Sequence, residues 1–90
     1  MKITYDPAKR AKTLAERGLD FEDAPKVFAG KHFTRRDMRR DYGEIRYFTV
    51  GKLNRRKVVL VWTPRGEARH VISMRDAHEK ERKRYEIYLD

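Results

Sequence analysis

Apolar residues recur along the chain with the period of a strand in some segments and the period of a helix in others. Residues 1–5 predict a short N-terminal strand. Asp6 suits a helix cap and Pro7 the first helical position, so a helix is predicted to start there and to end at Gly18. The apolar stripe of this helix is predicted to consist of Ala8, Ala11, Leu14 and Ala15.

A second helix has two alternative starts. Asp20 can cap it with Asp23 three residues later, but Pro25 would then lie inside the helix and remove a backbone hydrogen bond. The alternative is a start at Ala24, and Gly30 is predicted to end the helix in either case. Its buried face is predicted to contain Phe21, Ala24, Val27 and Phe28.

The remainder of the chain predicts four strands and a final helix. The strands are predicted over residues 32–38, 45–50, 57–63 and 69–75, with a hairpin connection over 51–55 and a turn over 64–67. The two faces of the last strand are predicted to carry Val71, Ser73 and Arg75, and His70, Ile72 and Met74. The final helix is predicted to be capped by Asp76 and to run to about Tyr88. The order β-α-α-β-β-β-β-α indicates an α+β fold with a mostly antiparallel sheet.

Length and composition limit the chain to one small domain, over residues 1–90, without cysteine chemistry. The absence of cysteine excludes disulfides, thiolate zinc sites, iron–sulfur clusters and cysteine nucleophiles. The longest apolar run, residues 58–62, is far shorter than the roughly 20 residues that span a bilayer. The protein is therefore expected to be cytoplasmic.

The net charge of +9 points to an anionic partner, whether nucleic acid, an acidic protein or a membrane surface. Residues 31–57 contain ten of the 23 cations and three of the 14 acids. A sheet face with this charge suits the phosphates of RNA or DNA. The alternative is that Arg and Lys only protect a sheet edge from aggregation, but one or two charges would do that.

The candidate chemistry is metal-free. No two of the three histidines have the helical spacing of a metal site, and no glycine-rich phosphate loop is present, so no metal and no cofactor is expected. Cleavage of RNA without metal needs a base for the 2′-hydroxyl, an acid for the leaving oxygen, and cations for the charged phosphorane. Residues that could supply these roles are Glu44, Arg46, His70, Arg75, Glu81, Arg82 and Tyr85. Each could instead form ion pairs along a surface.

Motifs along nearly the whole chain resemble the BrnT family of toxins. The matching stretches are residues 5–9, 17–24, 27–28, 43–46 with Gly51, 59–63 and 71–77, followed by Glu81, Arg82 and Tyr85. The resemblance implies a RelE-like fold and a ribonuclease that stops translation as the toxin of a type II toxin–antitoxin system. It also implies a BrnA-type antitoxin with a ribbon-helix-helix portion, a complex of two toxins with two antitoxins, and DNA binding only through that complex.

Two positions depart from the family pattern. The family commonly has Lys-His-Gly where this chain has Glu16-Arg17-Gly18, and commonly has Arg in place of His70. The proton-transfer scheme therefore differs from that of relatives, or the activity is weaker, if either position is catalytic there.

Combining the residues with the resemblance gives the following expectations. Arg46 and Arg75 bind the scissile phosphate, Glu81 or His70 is the base, and Tyr85 positions the RNA. The cations expected to hold the RNA backbone are Arg35, Arg36, Arg39, Arg40, Arg55, Arg56 and Lys57. The alternatives are a basic module that binds nucleic acid or an acidic partner without cleavage, and a degenerate toxin that binds only its antitoxin.

Overall fold

The chain forms five strands, three α-helices and one 3₁₀ turn, described over residues 1–90 by a computed structural model. The elements are β1 (Lys2–Tyr5), α1 (Pro7–Arg17), the 3₁₀ turn (Phe21–Asp23), α2 (Ala24–Ala29), β2 (His32–Arg36), β3 (Tyr47–Leu53), β4 (Arg56–Arg65), β5 (Ala68–Asp76) and α3 (Glu79–Leu89). All five strands lie in one sheet, in the order β1-β5-β4-β3-β2. None of the helices combines the length and apolar character needed to cross a bilayer.

The sheet is mixed, which corrects the prediction of a mostly antiparallel sheet. Strands β2 to β5 pair as antiparallel neighbours, but β1 runs parallel to β5, with Lys2 opposite Ala68 and Tyr5 opposite Val71. The parallel pair arises because β1 and β5 lie far apart in the chain, and the helices between them carry the chain across the sheet. Sequence periodicity does not report which way such distant strands run.

The local signals at the start of the chain are confirmed. The Asp6 side chain accepts a hydrogen bond from the amide of Ala8, and Gly18 ends α1 with a φ of 66°. The prediction of two consecutive helices is corrected by the 3₁₀ turn that Asp20 caps, so the element order becomes β-α-3₁₀-α-β-β-β-β-α. Helix α2 then starts at Ala24, which places Pro25 in its first turn, where proline costs no hydrogen bond.

Helix α1 packs with its polar side inward. Its apolar stripe, Ala8, Ala11, Leu14 and Ala15, is exposed, whereas Arg10 and Thr13 are half-buried. The parallel pairing with β1 stops at Val71, so the rest of that edge of β5 has no strand partner. Helix α1 contacts β5, and Arg17 donates a hydrogen bond of 2.8 Å to the carbonyl of Met74. Helix α1 turns polar groups toward β5 because it covers strand backbone that needs hydrogen-bond partners, and not an apolar sheet face.

The sheet separates two cores. The back face, on the side of α2, carries the larger core, which includes Phe21, Val27, Phe28, Leu60, Trp62 and Met74. The front face carries the smaller core under α3, which consists of Phe48, Val50, Val59, Ala77, Tyr85 and Leu89. Helix α3 covers only part of the front face.

A β-bulge at Ile72 changes which residues of β5 share a face. Val61 pairs with Ser73, but the next residue, Trp62, pairs with Val71, so Ile72 is extra. Beyond the bulge, Thr63 pairs with His70. The predicted alternation along this strand is therefore wrong. His70, Ser73 and Arg75 lie on the front face, and Val71 and Met74 lie in the back core.

The predicted bounds of the strands and the last helix need correction. The hairpin connection is the two-residue turn of Asn54 and Arg55, with Asn54 at a φ of 58°, and β4 extends to Arg65. Asp76 does not cap α3, because it ends β5 and its carboxylate binds Arg56. The cap is His78, whose backbone amide donates to the Glu81 carboxylate in a capping box.

Candidate RNA-binding face

The part of the front face that α3 leaves open forms a groove of about 390 Å³. Strand β2 and the following residues supply one wall, and the end of β5 with the first turn of α3 supplies the other. Four of its lining side chains are arginines. The charged residues around it are Arg35, Arg36, Asp37, Arg39, Arg75 and Glu81.

Three of the predicted site residues meet where β5 enters α3, and we call Arg75, Glu81 and Tyr85 the helix-side cluster. The two terminal guanidinium nitrogens of Arg75 donate to the two carboxylate oxygens of Glu81, at 2.7 and 2.9 Å. Glu81 also accepts from the amide of His78 at 2.8 Å. The hydrogen bonds from Arg75, supported by that amide, lower the pKa of Glu81 to about 2. A carboxylate this acidic is a weak base near neutral pH.

Tyr85 is buried in the front core, with 4% of its surface exposed. Its ring stacks on Phe33 at a centroid distance of 5.1 Å, and the guanidinium of Arg35 lies 5.9 Å from its centre. The hydroxyl is buried and has no hydrogen-bond partner. The ring is therefore already used in packing, while Tyr88, half-exposed beside Phe33, offers the more accessible aromatic surface.

The other predicted residues meet at the opposite end of β5, and we call Glu44, Arg46 and His70 the loop-side cluster. His70 Nδ1 lies 2.8 Å from the hydroxyl oxygen of Thr4 on the neighbouring strand. Burial, and then the positive charge of Arg65, lower the pKa of His70, while the carboxylate of Glu44 acts in the opposite direction. The imidazole is therefore neutral near pH 7, with one nitrogen bonded and the other without a protein partner.

Arg46 lies at the entrance of β3, near His70. Its Nε donates to Glu44 at 3.2 Å, and its guanidinium carbon lies 4.1 Å from the centre of the Tyr42 ring. The hydroxyl of Thr63, the residue paired with His70, donates to the carbonyl of Ile45 at 2.6 Å. This bond connects the segment that carries Arg46 to the strand beside His70.

The structure thus does not bring the predicted catalytic residues together at one point. His70 and Arg75 share the front face because of the bulge, but their partners on β4, Thr63 and Val59, are four residues apart, which is about 13 Å at 3.3 Å per residue. Arg75 and Glu81 line the groove, and His70 does not.

The cations predicted to bind RNA also fall into two groups. Arg35, Arg36, Arg39 and Arg40 lie on β2 and the segment after it, near the groove. The others, Arg55, Arg56 and Lys57, lie at the β3–β4 hairpin, at the far end of β3. Arg56 is held there by both carboxylate oxygens of Asp76, at 2.9 and 2.8 Å, and by the carbonyl of Arg17 at 3.0 Å.

Sequence reasoning missed two residues that organise the site. Thr4 contacts His70 across the parallel strand pair, and nothing local to Thr4 indicates that pairing. Asp37 is buried within the most basic segment, and an acid between Arg36 and Arg39 was the available signal. No group of three or more His, Asp or Glu side chains is arranged to hold a metal ion.

Comparison with known proteins gives one finding. A family model described as the ribonuclease toxin BrnT of type II toxin–antitoxin systems matches residues 5–81. No curated protein matches the chain. The matched residues include both clusters except Tyr85, and they cover far more than half of the chain.

Proposed function

Because the chain belongs to the BrnT family of ribonuclease toxins of type II toxin–antitoxin systems, we propose that it is a metal-independent endoribonuclease that stops translation. The observation that carries the proposal is the front face, which holds a neutral imidazole at one end of β5 and, at the other end, an open groove lined by four arginines. A neutral imidazole can take a proton near pH 7, and arginines can stabilise a charged phosphorane.

His70 is the base in this proposal. Its pKa lies below the ordinary value, and Thr4 holds one ring nitrogen, which fixes the plane of the ring. With Nδ1 donating its hydrogen to the Thr4 hydroxyl, the unprotonated Nε2 takes the proton of the 2′-hydroxyl. The 2′-oxygen then attacks the adjacent phosphorus and displaces the 5′-oxygen of the next nucleotide, which takes up a proton from water. Glu81 is the weaker candidate, since its lowered pKa and its three hydrogen bonds oppose proton uptake.

Arg46 is the proposed ligand of the scissile phosphate, because it is the arginine of the loop-side cluster. Arg35 and Arg36 bind flanking phosphates along the groove. Arg75 and Glu81 neutralise each other, so we assign them to the shape of the groove wall, with Tyr85 packed beneath.

A toxin of a type II system has an antitoxin partner. We propose that this partner is of the BrnA type, with a ribbon-helix-helix portion, in a complex of two toxins and two antitoxins that binds DNA through the antitoxin. The net charge of +9 favours an acidic antitoxin segment over the groove. The proposed place of action is the cytoplasm.

The test is cleavage of single-stranded RNA by the purified protein in EDTA. We expect products with 2′,3′-cyclic or 3′-phosphate ends, and growth arrest on expression that the antitoxin relieves. A requirement for Mg²⁺ would contradict the mechanism. Binding of RNA without cleavage would favour the non-catalytic alternative, which the ion-paired state of Arg39, Arg56 and Arg75 supports.

A further inference from the structure

Asp37 is the one charged residue among the buried residues of the protein. It directly follows β2, and its side chain is 2% exposed. Burial of a carboxylate is costly unless hydrogen bonds compensate it. An acid is also unexpected in a segment that binds an anionic polymer, because its charge opposes binding. A carboxylate at this position must therefore have a role that outweighs both the cost of its burial and its repulsion of RNA.

The contacts of Asp37 all lie within the segment that follows it. One carboxylate oxygen accepts from Nε of Arg39 at 2.9 Å and from the Arg39 amide at 3.2 Å. The other accepts from a terminal guanidinium nitrogen of Arg39 at 2.8 Å and lies 3.4 Å from the Tyr42 hydroxyl. The bonds from Arg39 keep the pKa of Asp37 below its usual range.

The backbone of Asp37 closes the same segment. Its amide donates to the carbonyl of Arg46 at 2.8 Å, so residues 37–46 form a loop whose two ends are bonded; we call it the basic loop. Tyr42, which Asp37 contacts, lies against two of the loop's arginines: the guanidinium carbons of Arg40 and Arg46 are 5.0 and 4.1 Å from its ring centre. The carboxylate is thus linked through Tyr42 to Arg46, the arginine of the loop-side cluster.

Asp37 lines two cavities. One is the groove, and the other, of about 360 Å³, is lined mostly by residues of the basic loop, Arg40 among them. The conformation of the loop therefore decides where Arg40 faces.

We propose that Asp37 is a positioning residue for RNA, whose carboxylate holds the basic loop so that Arg40 and Arg46 face the bound strand. The inference rests on the proposed function, because it concerns the same face and the same substrate. Asp37 itself does not touch the RNA.

The positioning role and a purely electrostatic role predict opposite changes in RNA affinity when Asp37 is substituted. The substitution Asp37→Asn removes a negative charge from an RNA-binding surface, which strengthens RNA binding if the charge alone matters. If Asp37 positions the loop, the same substitution weakens binding, because an amide cannot accept two bonds from a guanidinium on both of its terminal atoms.

The chain offers a matched control in Asp41. This residue lies in the same loop, is exposed, and bonds only the amide of Gly43, at 2.8 Å. The substitution Asp41→Asn changes the net charge by the same amount without touching an arginine. We expect Asp41→Asn to bind RNA equally well or more tightly.

The experiment measures the affinity of the full chain for a single-stranded RNA oligonucleotide across salt concentrations, with single-turnover cleavage of the same RNA. We expect Asp37→Asn to weaken binding about tenfold, the effect of losing a hydrogen bond to a charged group. A second variant, Arg39→Lys, keeps the charge but loses the two-pronged contact, and we expect a similar loss. Arg39→Lys also tests the positioning role if Asp37→Asn does not fold.

Amide hydrogen exchange provides a readout that does not depend on RNA. In Asp37→Asn the amide of residue 37, bonded to Arg46 in the wild type, should exchange faster, while amides of β4 should not change. RNA binding by Asp37→Asn or Arg39→Lys as tight as that of the wild type would overturn the positioning role alone. A wild-type chain that binds no RNA would overturn the proposed function, and with it the substrate of this inference.

Discussion

The helix-side and loop-side clusters lie on one face of one sheet but differ in how fully their polar groups are bonded. Arg75 and Glu81 use both nitrogens and both oxygens on each other, and an amide takes a further bond to Glu81. His70 has one bonded ring nitrogen and a lowered pKa. The helix-side cluster therefore resembles a structural joint, and the loop-side cluster has a group free to exchange protons.

This difference shows that residues of one motif can divide between architecture and chemistry. The helix-side residues fix how α3 leaves the sheet, because Glu81 belongs to the cap of that helix. The loop-side residues depend on a long-range strand pairing and on a loop. The comparison can be tested by changing each side in turn.

The largest effect should come from His70→Gln, which keeps hydrogen-bonding capacity but cannot take a proton near neutral pH. We expect single-turnover cleavage to fall by about 10²- to 10⁴-fold with little change in melting temperature. The exposed His32 provides the control, and His32→Gln should cleave normally. In the wild type, cleavage should rise with pH to a plateau through a pKa below 6.5, since burial favours the neutral ring. Full activity in His70→Gln would assign the proton transfer elsewhere.

The next effect concerns stability. We expect Glu81→Gln to lower the free energy of unfolding by about 2 kcal/mol, which is roughly 10 °C in melting temperature for a chain of this size. Glu79→Gln is the control, because Glu79 pairs only with Lys83 on the exposed surface. Equal melting temperatures for the two variants would contradict a structural role for Glu81.

The same pair sets a pH dependence of stability. The pKa of Glu81 is about 2 in the folded protein against an ordinary 4.5, so its stabilising contribution is complete above about pH 4.5 and is lost as the pH falls toward 2. The stability difference between wild type and Glu81→Gln should therefore shrink over that interval in denaturant titrations. A difference that stays constant down to pH 2 would contradict the ionic pair.

A smaller effect separates free from paired arginines. Arg36 lines the groove and forms no ion pair, whereas Arg56 is bound by Asp76. We expect Arg36→Ala to weaken RNA binding several-fold and to reduce the salt slope by roughly 0.7, the share of one phosphate contact in a single strand. Arg56→Ala should instead lower the melting temperature and leave the slope unchanged. Binding titrations at several salt concentrations would show whether the two variants differ in this way.

The smallest effect should come from Thr4→Val, which keeps the shape of the residue and removes the hydroxyl. Cleavage should fall about fivefold, as expected for one neutral hydrogen bond, with RNA affinity unchanged. A loss of affinity in place of the loss of rate would mean that Thr4 supports the fold of the face rather than the orientation of His70.

The sequence predicted what local chemistry determines. The Asp6 cap and the Gly18 terminus of α1 follow from residues within a few positions, and both were confirmed. The predicted cap at Asp76 was wrong because Arg56, 20 residues earlier in the chain, binds its carboxylate. The exposure of the apolar stripe of α1 could not be predicted, because periodicity reports an apolar face but not what the helix packs against.

The candidate site was predictable in composition but not in arrangement. The residues that could do chemistry were identified from the sequence, yet their division into two clusters depends on the pairing of β5 with β1 and β4. The ion pairs of Arg39 and Arg56 differ in how far the partner of each could be predicted from the sequence. Asp37 is two residues from Arg39 and could have been considered, whereas the partner of Arg56 lies in a distant strand.

The bulge at Ile72 also has a consequence for how this chain tolerates change in length. His70 and Arg75 are an odd number of residues apart, so in a regular strand they would point to opposite sides of the sheet. The bulge takes up one residue, Ile72, and so places both side chains on one side. Loss of that single codon would leave His70 and Arg75 four positions apart in a regular strand, still on the same surface, so this strand can lose one residue at Ile72 without dividing the two side chains between the faces of the sheet.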